Sequence, residues 1–232
     1  MYSEKDDAQR RSDTDLAPPH GPPAGHSRAG ARGAHPTFWR RAALRQTQVG
    51  AVAPSSARLA AVLATPVPRD GSPTIVELGP GTGAVSNHIA QRISASARYL
   101  AIEIDPVMAA WLQAMRRDIE VIEGDAIDLP NILSARGLGS ADVVVSGLPW
   151  SLFDAETQAG MLAAIGRSLS PSGCFTTFAY TTGLWLPAAR RFARLLREGF
   201  DEVVTTAPVW RNLPPAVVYV CRRPRLPEGL VS

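Results

Sequence analysis

The chain has 232 residues, 45% of them hydrophobic and 19% charged, a balance that fits one folded domain with a sizeable core. Cys174 and Cys221 both fall in apolar, strand-like runs, which argues for reduced core residues in a cytosolic protein and against a disulfide scaffold. No apolar run reaches the roughly 20 residues of a membrane span, no secretory signal is evident, and no Cys/His cluster has metal-ligand spacing, so no metal is expected.

Net charge is +3, and all but one of the 24 basic residues are arginine. Arginine grips phosphate through a planar fork, which suits phosphate-bearing partners; a codon bias toward arginine explains the count equally well.

Residues 1–36 are rich in Pro, Gly, Arg, His and Asp and poor in large apolar side chains. Such a segment buries too little surface to offset its ordering entropy, so a disordered tail is expected. Residues 37–68 read as an N-terminal helical cap. It comprises a short helix over Phe38–Gln46, a turn at Ala53-Pro54, and a second helix capped by Ser55 or Ser56 and running to about Ala64.

Residues 69–225 then alternate. "TIVELG" predicts a strand, followed by a glycine loop and a helix through about Ile93. "RYLAIEID" predicts a second strand, and Pro106 opens a helix through Arg117. "IEVIEGDA" predicts a third strand, with a short irregular helix near Leu129–Arg136. "ADVVVSGLP" predicts a fourth, with a helix from Asp154 or Ala155 to about Leu169. "CFTTFAY" predicts a fifth, and Pro187 opens a helix through Glu198. "DEVVTTAPVW" and "AVVYVCRR" follow as consecutive strands with no helix between them, which suggests an antiparallel hairpin at the sheet edge. The alternation predicts an α/β fold, a mostly parallel sheet with helices on both faces.

"ELGPGTG", Glu77–Gly83, falls where the first strand meets the first helix of this alternation, a position where glycines let the backbone pass close to a ligand. Two acids sharpen the reading. Glu103 closes the second strand, where a carboxylate can accept hydrogen bonds from both hydroxyls of a ribose. Asp125 closes the third, placed to accept from an adenine amino group. Each acid alone is more often a solvated strand end, but features at three successive strand ends share the edge where open parallel sheets bind ligands. A dehydrogenase would use the same fold, but its fingerprint spaces the glycines G-x-G-x-x-G.

The order of a glycine loop, a strand-end acid and Asp-Ala resembles the class I S-adenosylmethionine-dependent methyltransferases over residues 73–180. The resemblance implies a Rossmann-like methyltransferase fold, with seven strands and the last one antiparallel. It also implies S-adenosylmethionine as cofactor, with Gly79, Gly81 and Gly83 near its methionine part, Glu103 at the ribose and Asp125 at the adenine. Glu77, Thr82, Ile104, Ala126 and Ser146 complete the expected cofactor set.

Two subfamilies share "ELGPGTG" with "EID". In the ribosomal RNA adenine dimethyltransferases an Asn after the fourth strand accepts a hydrogen bond from the flat adenine amine. Here Gly147 stands at that place, and only residues 224–232 follow the last predicted strand, so an RNA-gripping helical domain is not expected. The chain more closely resembles the bacterial phospholipid N-methyltransferases that act on phosphatidylethanolamine. "QVGAVAPSS" (Gln48–Ser56), "SGLPW" (Ser146–Trp150) and "VWRNLPPA" (Val209–Ala216) extend this resemblance over about residues 38–223.

An amine that becomes a quaternary ammonium needs room for growing positive bulk, which Gly147 is expected to leave. Trp150, Tyr180 and Trp210 offer ring faces to a cation, or else fill gaps at the sheet edge. Tyr180 is the candidate to orient the amine. Leu148, Pro149, Arg211 and Asn212 are the expected substrate contacts, with Arg211 on a lipid phosphate.

Residues 37–69 carry Arg40, Arg41, Arg45, Arg58 and Arg69 and no acid, with Phe38 and Trp39 beside them. This pattern suits a helix on an anionic membrane surface, or a cap packed over the cofactor. The expectation is an enzyme of the cytoplasm, peripherally attached to the inner face of the membrane. The alternatives are an RNA adenine N6-methyltransferase, a natural-product methyltransferase, or a binding protein that keeps the fold without turnover.

Overall fold

The computed structural model describes residues 55–225. The predicted tail and the predicted helix over Phe38–Gln46 lie outside them. Helix α1, Ala57–Leu63, is the second helix of the expected cap, and the Ser56 hydroxyl caps it by accepting from Leu59 N at 3.2 Å.

From there the alternation is realised. Strands β1 (Thr74–Leu78), β2 (Arg98–Glu103), β3 (Glu120–Glu123), β4 (Ala141–Ser146), β5 (Leu169–Tyr180), β6 (Phe200–Thr205) and β7 (Ala216–Pro224) form one sheet in the order β3-β2-β1-β4-β5-β7-β6. Strand β7 runs antiparallel to both of its neighbours, β5 and β6. The other six strands are therefore parallel to one another, and the last two make the edge hairpin that their sequence suggested.

Helices α2 (Ala84–Ala90), α3 (Pro106–Met115), α4 (Leu129–Ser134), α5 (Ala155–Ser168) and α6 (Pro187–Gly199) make the crossovers. Their starts are locally encoded. Asp105 accepts from Val107 N and Met108 N ahead of Pro106, Asp154 accepts from Thr157 N, and Pro187 stands in the first turn of α6.

Every residue of β1 is buried, as expected of a central parallel strand covered on both faces. One face packs Leu59 and Leu63 of α1 with Ile75, Val85, Ile89 and Leu112. The other packs Val76, Leu78, Val144, Phe175, Ile165 and Phe192 against α4, α5 and α6.

Several boundaries differ from expectation, three of them with consequences for the site. Strand β5 begins at Leu169, because Leu169 already pairs with Ala141 before an irregularity in the register. Helix α2 stops at Ala90, short of Ile93. Strand β6 ends at Thr205, and residues 206–215 form a turn closed by a bridge between Val209 and Ala216. Since β1, β2, β4, β5 and β6 are parallel, the glycine loop, the "SGLPW" turn and the turns after β5 and β6 all rise at one edge. The strand order reverses between β1 and β4, where sheets of this type open a ligand crevice.

Candidate functional site

The glycine loop leaves β1 with Gly79, Gly81 and Gly83 at φ of +67°, +53° and +80°. This left-handed backbone is one that side chains resist. Backbone bonds stitch the strand ends around it: Gly79 N donates to Ile102 O, Gly147 N to Leu78 O and Gly124 N to Glu103 O, each at 2.9 Å.

Glu103 is the last residue of β2 and is buried. Its Oε2 accepts from Gly81 N at 3.2 Å and its Oε1 from Asp105 N at 3.1 Å. A carboxylate has about four acceptor positions, so these amides leave capacity for a ligand's hydroxyl. Burial raises the Glu103 pKa against the pull of these amides, as for a carboxylate held near a crevice that a polar ligand completes. The loop and Glu103 are thus one unit, and the donor set suits a nucleoside.

Asp125 begins the 3-10 turn Ala126–Asp128 and accepts from Ile127 N through Oδ1 at 3.1 Å. It lies at the end of the strand beside Glu103, with Ala126 buried behind it. Ile104 follows Glu103, half-buried, and Thr82 is exposed on the loop.

Several expected site residues have other employment. Glu77 is buried, and its Oε2 accepts from the hydroxyls of Ser86 and Tyr99. Full burial lifts its pKa to about 7 despite these bonds. Ser146 is fully buried, and its oxygen accepts from Leu148 N at 3.2 Å and from the Trp150 indole at 3.1 Å, so its side chain shapes the "SGLPW" turn.

Trp150 is a core residue. It is 2% exposed, stacked on Phe192 at 4.5 Å, with Phe153 and Phe175 edge-on, so neither ring face is open to a cation. Asn212 is 4% exposed, and its amide is spent on backbone: Oδ1 accepts from Ser56 N at 2.9 Å, and Nδ2 donates to Pro214 O at 2.7 Å. It clips the turn after β6 to the start of α1.

Gly147 also departs from its expected role. A Cβ there would stand 2.7 Å from the Gly79 carbonyl oxygen, so the missing side chain makes room for the glycine loop and not for a substrate. Leu148, half-buried, lies over Gly79, where a Cβ would meet its Cδ2 at 2.6 Å. Pro149 is half-buried beside it.

Tyr180 ends β5 at the same edge, half-buried, with its ring edge-on to Phe178 at 5.3 Å. Its hydroxyl has no hydrogen-bond partner among the described residues, and burial raises its pKa, so the phenol keeps its proton at neutral pH. Arg211 is exposed on the turn after β6 and forms no ion pair among the described residues. Trp210 is 75% exposed.

The sequence reading missed Gln158 and Arg191. Gln158 is fully buried, donating to Trp150 O at 2.7 Å and accepting from Arg191 Nε at 3.0 Å. Arg191 Nη2 also reaches Phe153 O at 3.2 Å. Together they fasten the Trp150 turn to α5 and α6. A glutamine on the apolar face of a helix beside Met161 and Leu162 was the available signal.

A seven-stranded sheet with an antiparallel β7, a left-handed glycine loop after β1 and a buried acid closing β2 define the Rossmann-like methyltransferase class. A family model described as a methyltransferase domain matches residues 75–173. The chain is 38% identical over 179 residues to an ornithine lipid N-methyltransferase of Singulisphaera acidiphila, a match spanning 76% of this chain and 89% of that protein. It is 40% identical over 68 residues to ribosomal RNA small subunit methyltransferase A of Koribacter versatilis, covering 27% of this chain and 23% of that one. Among solved structures, the O-methyltransferase TomG of Streptomyces achromogenes, in complex with S-adenosylmethionine, aligns with a TM-score of 0.58 at 15% identity over 79% of this chain and 89% of its own. A TehB-like methyltransferase of Corynebacterium glutamicum aligns with a TM-score of 0.53 at 16% identity, over 82% and 100%.

The chain belongs to the class I S-adenosylmethionine-dependent methyltransferases. Its cofactor is accordingly S-adenosylmethionine, and no helix among the described residues is long and apolar enough to cross a membrane.

Proposed function

We propose that this methyltransferase acts on the primary amine of a membrane-lipid headgroup, with phosphatidylethanolamine-type lipids as acceptors. The observation that carries the reading is the 38% identity to a lipid N-methyltransferase over 89% of that protein's length. The match to the RNA enzyme spans only 27% of this chain, and an RNA adenine acceptor is correspondingly less supported.

In this reading Glu103 and Asp125 hold the nucleoside part of the cofactor, and Gly79, Gly81 and Gly83 let the backbone approach its amino-acid part. S-adenosylmethionine supplies a methyl group on a positively charged sulfur. The amine must arrive neutral. Bound there, the cofactor would supply its methyl group to the amine nitrogen, and the proton the amine sheds would go to water. Tyr180, protonated at neutral pH, orients the amine through its hydroxyl and does not serve as the base. Leu148 and Pro149 line the approach from β4. Arg211, exposed and without an ion pair among the described residues, would take a lipid phosphate. The enzyme would work in the cytoplasm at the inner face of the membrane, with anionic lipid as its surface partner and nucleic acid not required.

An ornithine-type lipid is the second reading, favoured directly by the relative's own substrate. Mass spectrometry would separate the readings, with the purified chain and labelled cofactor offered phosphatidylethanolamine, ornithine lipid and an adenine-containing RNA hairpin in parallel. Methylated ethanolamine headgroups are expected. Label only in ornithine lipid would move the acceptor, and label only in RNA would overturn the lipid assignment.

A further inference from the structure

The turns after β5 and β6 hold large apolar side chains in water and are braced by hydrogen bonds. In the turn after β6, Val209 and Asn212 are buried, while Trp210 is 75% and Leu213 80% exposed. The Asn212 clip to Ser56 and Pro214 fixes that alternation. In the turn after β5, Trp185 is 67% exposed with its indole N–H already bonded to Thr182 O at 2.8 Å, so it presents little but apolar ring. The two turns are joined to each other: Thr181 N and Oγ1 both donate to Pro215 O, at 2.8 and 3.1 Å. Leu152, 47% exposed after β4, adds to the same edge.

Charge points to the occupant. No acidic residue falls between Thr181 and Arg197 or between Val203 and Arg225, while Arg190 and Arg211 stand exposed beside the apolar tips. Tryptophan and leucine near exposed arginines that form no ion pair among the described residues, in two segments without an acid, match an anionic bilayer interface, which accepts the rings at headgroup depth and attracts the guanidinium groups. A protein partner would be the other candidate for an apolar patch. It has no comparable need to sit at the edge where the cofactor loop opens.

We propose that the paired turns 181–186 and 206–215 form a preformed docking rim that enters the surface of an anionic membrane. Trp185, Trp210 and Leu213 would be inserted, with Arg190 and Arg211 on the lipid headgroups. The proposal rests on the lipid-methyltransferase reading and deepens it: the rim flanks Tyr180, whose neighbour Thr181 makes the bond between the turns. A headgroup amine could then reach the site without its acyl chains leaving the bilayer.

The test uses the full chain with vesicles of phosphatidylethanolamine and phosphatidylglycerol. Lipids brominated high on the acyl chain should quench tryptophan fluorescence of the bound protein, and Trp210→Phe should remove part of that quenching. The double variant Trp185→Ser/Leu213→Ser should bind these vesicles at least ten-fold more weakly. It should keep the parent's affinity for S-adenosylhomocysteine and its rate on a short-chain lipid below the micelle concentration. Trp111→Ser, which alters an exposed tryptophan in the middle of α3, should bind vesicles like the parent.

Vesicle binding indifferent to the double substitution, or bound protein whose Trp210 is not quenched, would overturn the docking rim even if lipid is methylated. Loss of binding without any lipid methylation by the parent would leave the rim standing and remove the functional reading. A parent that ignores vesicles but retains a purified protein through Trp210 and Leu213 would replace the bilayer with that partner.

Discussion

The carbonyl oxygen of Gly79 lies where the side chain of Gly147 would begin, 2.7 Å from the site of its Cβ. The loop that follows β1 and the loop that follows β4 therefore meet backbone to backbone, and Gly147 N completes the contact by donating to Leu78 O at 2.9 Å. Overpacking such a contact costs ~1–3 kcal/mol, and the strain falls on the glycine loop. Gly147→Ala is expected to weaken S-adenosylhomocysteine binding, leaving the ratio of mono-, di- and trimethylated product unchanged. Calorimetric titration and product mass spectrometry from one preparation check this. An altered product ratio at unaltered affinity would return Gly147 to the acceptor side.

Glu103 is expected to matter twice, as a ligand for the ribose and as the acceptor that holds Gly81 N. Glu103→Ala removes charge-assisted bonds worth ~1.5–3 kcal/mol, so affinity for S-adenosylhomocysteine should fall roughly ten- to a hundred-fold. Glu103→Gln keeps one acceptor oxygen and should fall less. Equal affinity in all three proteins by calorimetry would remove the ribose assignment.

Glu77 carries the pH prediction. Burial raises its pKa from 4.5 to about 7 in the folded chain. Below pH 4.5 both states hold the proton. Between 4.5 and about 7 the unfolded chain releases it while the folded chain keeps it, so this group's contribution to stability declines across that window and levels off above it. The decline is at most ~3 kcal/mol. Glu77→Gln is neutral at every pH and can still accept from Ser86 and Tyr99. Its stability relative to the parent should therefore rise from pH 4.5 to 7 and then stay constant. Urea unfolding midpoints across pH 4.5–8 measure this, and a parallel pair of curves would mean that Glu77 is ionised in the fold.

Asn212 should behave as a clip and not as a substrate contact. Asn212→Ala strands the Ser56 N–H and frees the turn, a loss of ~1–3 kcal/mol in stability. Hydrogen exchange should quicken over residues 206–215 and at the start of α1. The affinity for S-adenosylhomocysteine should hold, and a large drop in it would show that the clip shapes the cofactor side as well.

The elements were readable because period and punctuation agree. Pro106 and Pro187 sit in the first turns of α3 and α6, Asp105 and Asp154 cap helices, and seven apolar runs became seven strands. Glu103 was readable because it is polar at the end of a buried strand. Glu77 was not, because β1 is buried on both faces, so alternation there gives no clue to which face the acid takes. The direction of Trp150 depends on a bond to Ser146 and on Phe192, 42 residues downstream, neither of which has a local signature. Gly147 misled for a related reason: a missing side chain reads as space for a ligand, and only the fold brings Gly79 close enough to fill it.

The position of β7 has a bearing on how the sheet is completed. It is translated after the other six strands yet occupies the sixth place across the sheet, hydrogen-bonded to β5 on one side and β6 on the other. Until Ala216–Pro224 has emerged, β6 has no strand beside it and β5 carries a bare edge, an open template for another chain. A nascent or truncated chain ending before Ala216 would therefore expose strand edges that the finished sheet covers, even with its cofactor loop and Glu103 already made.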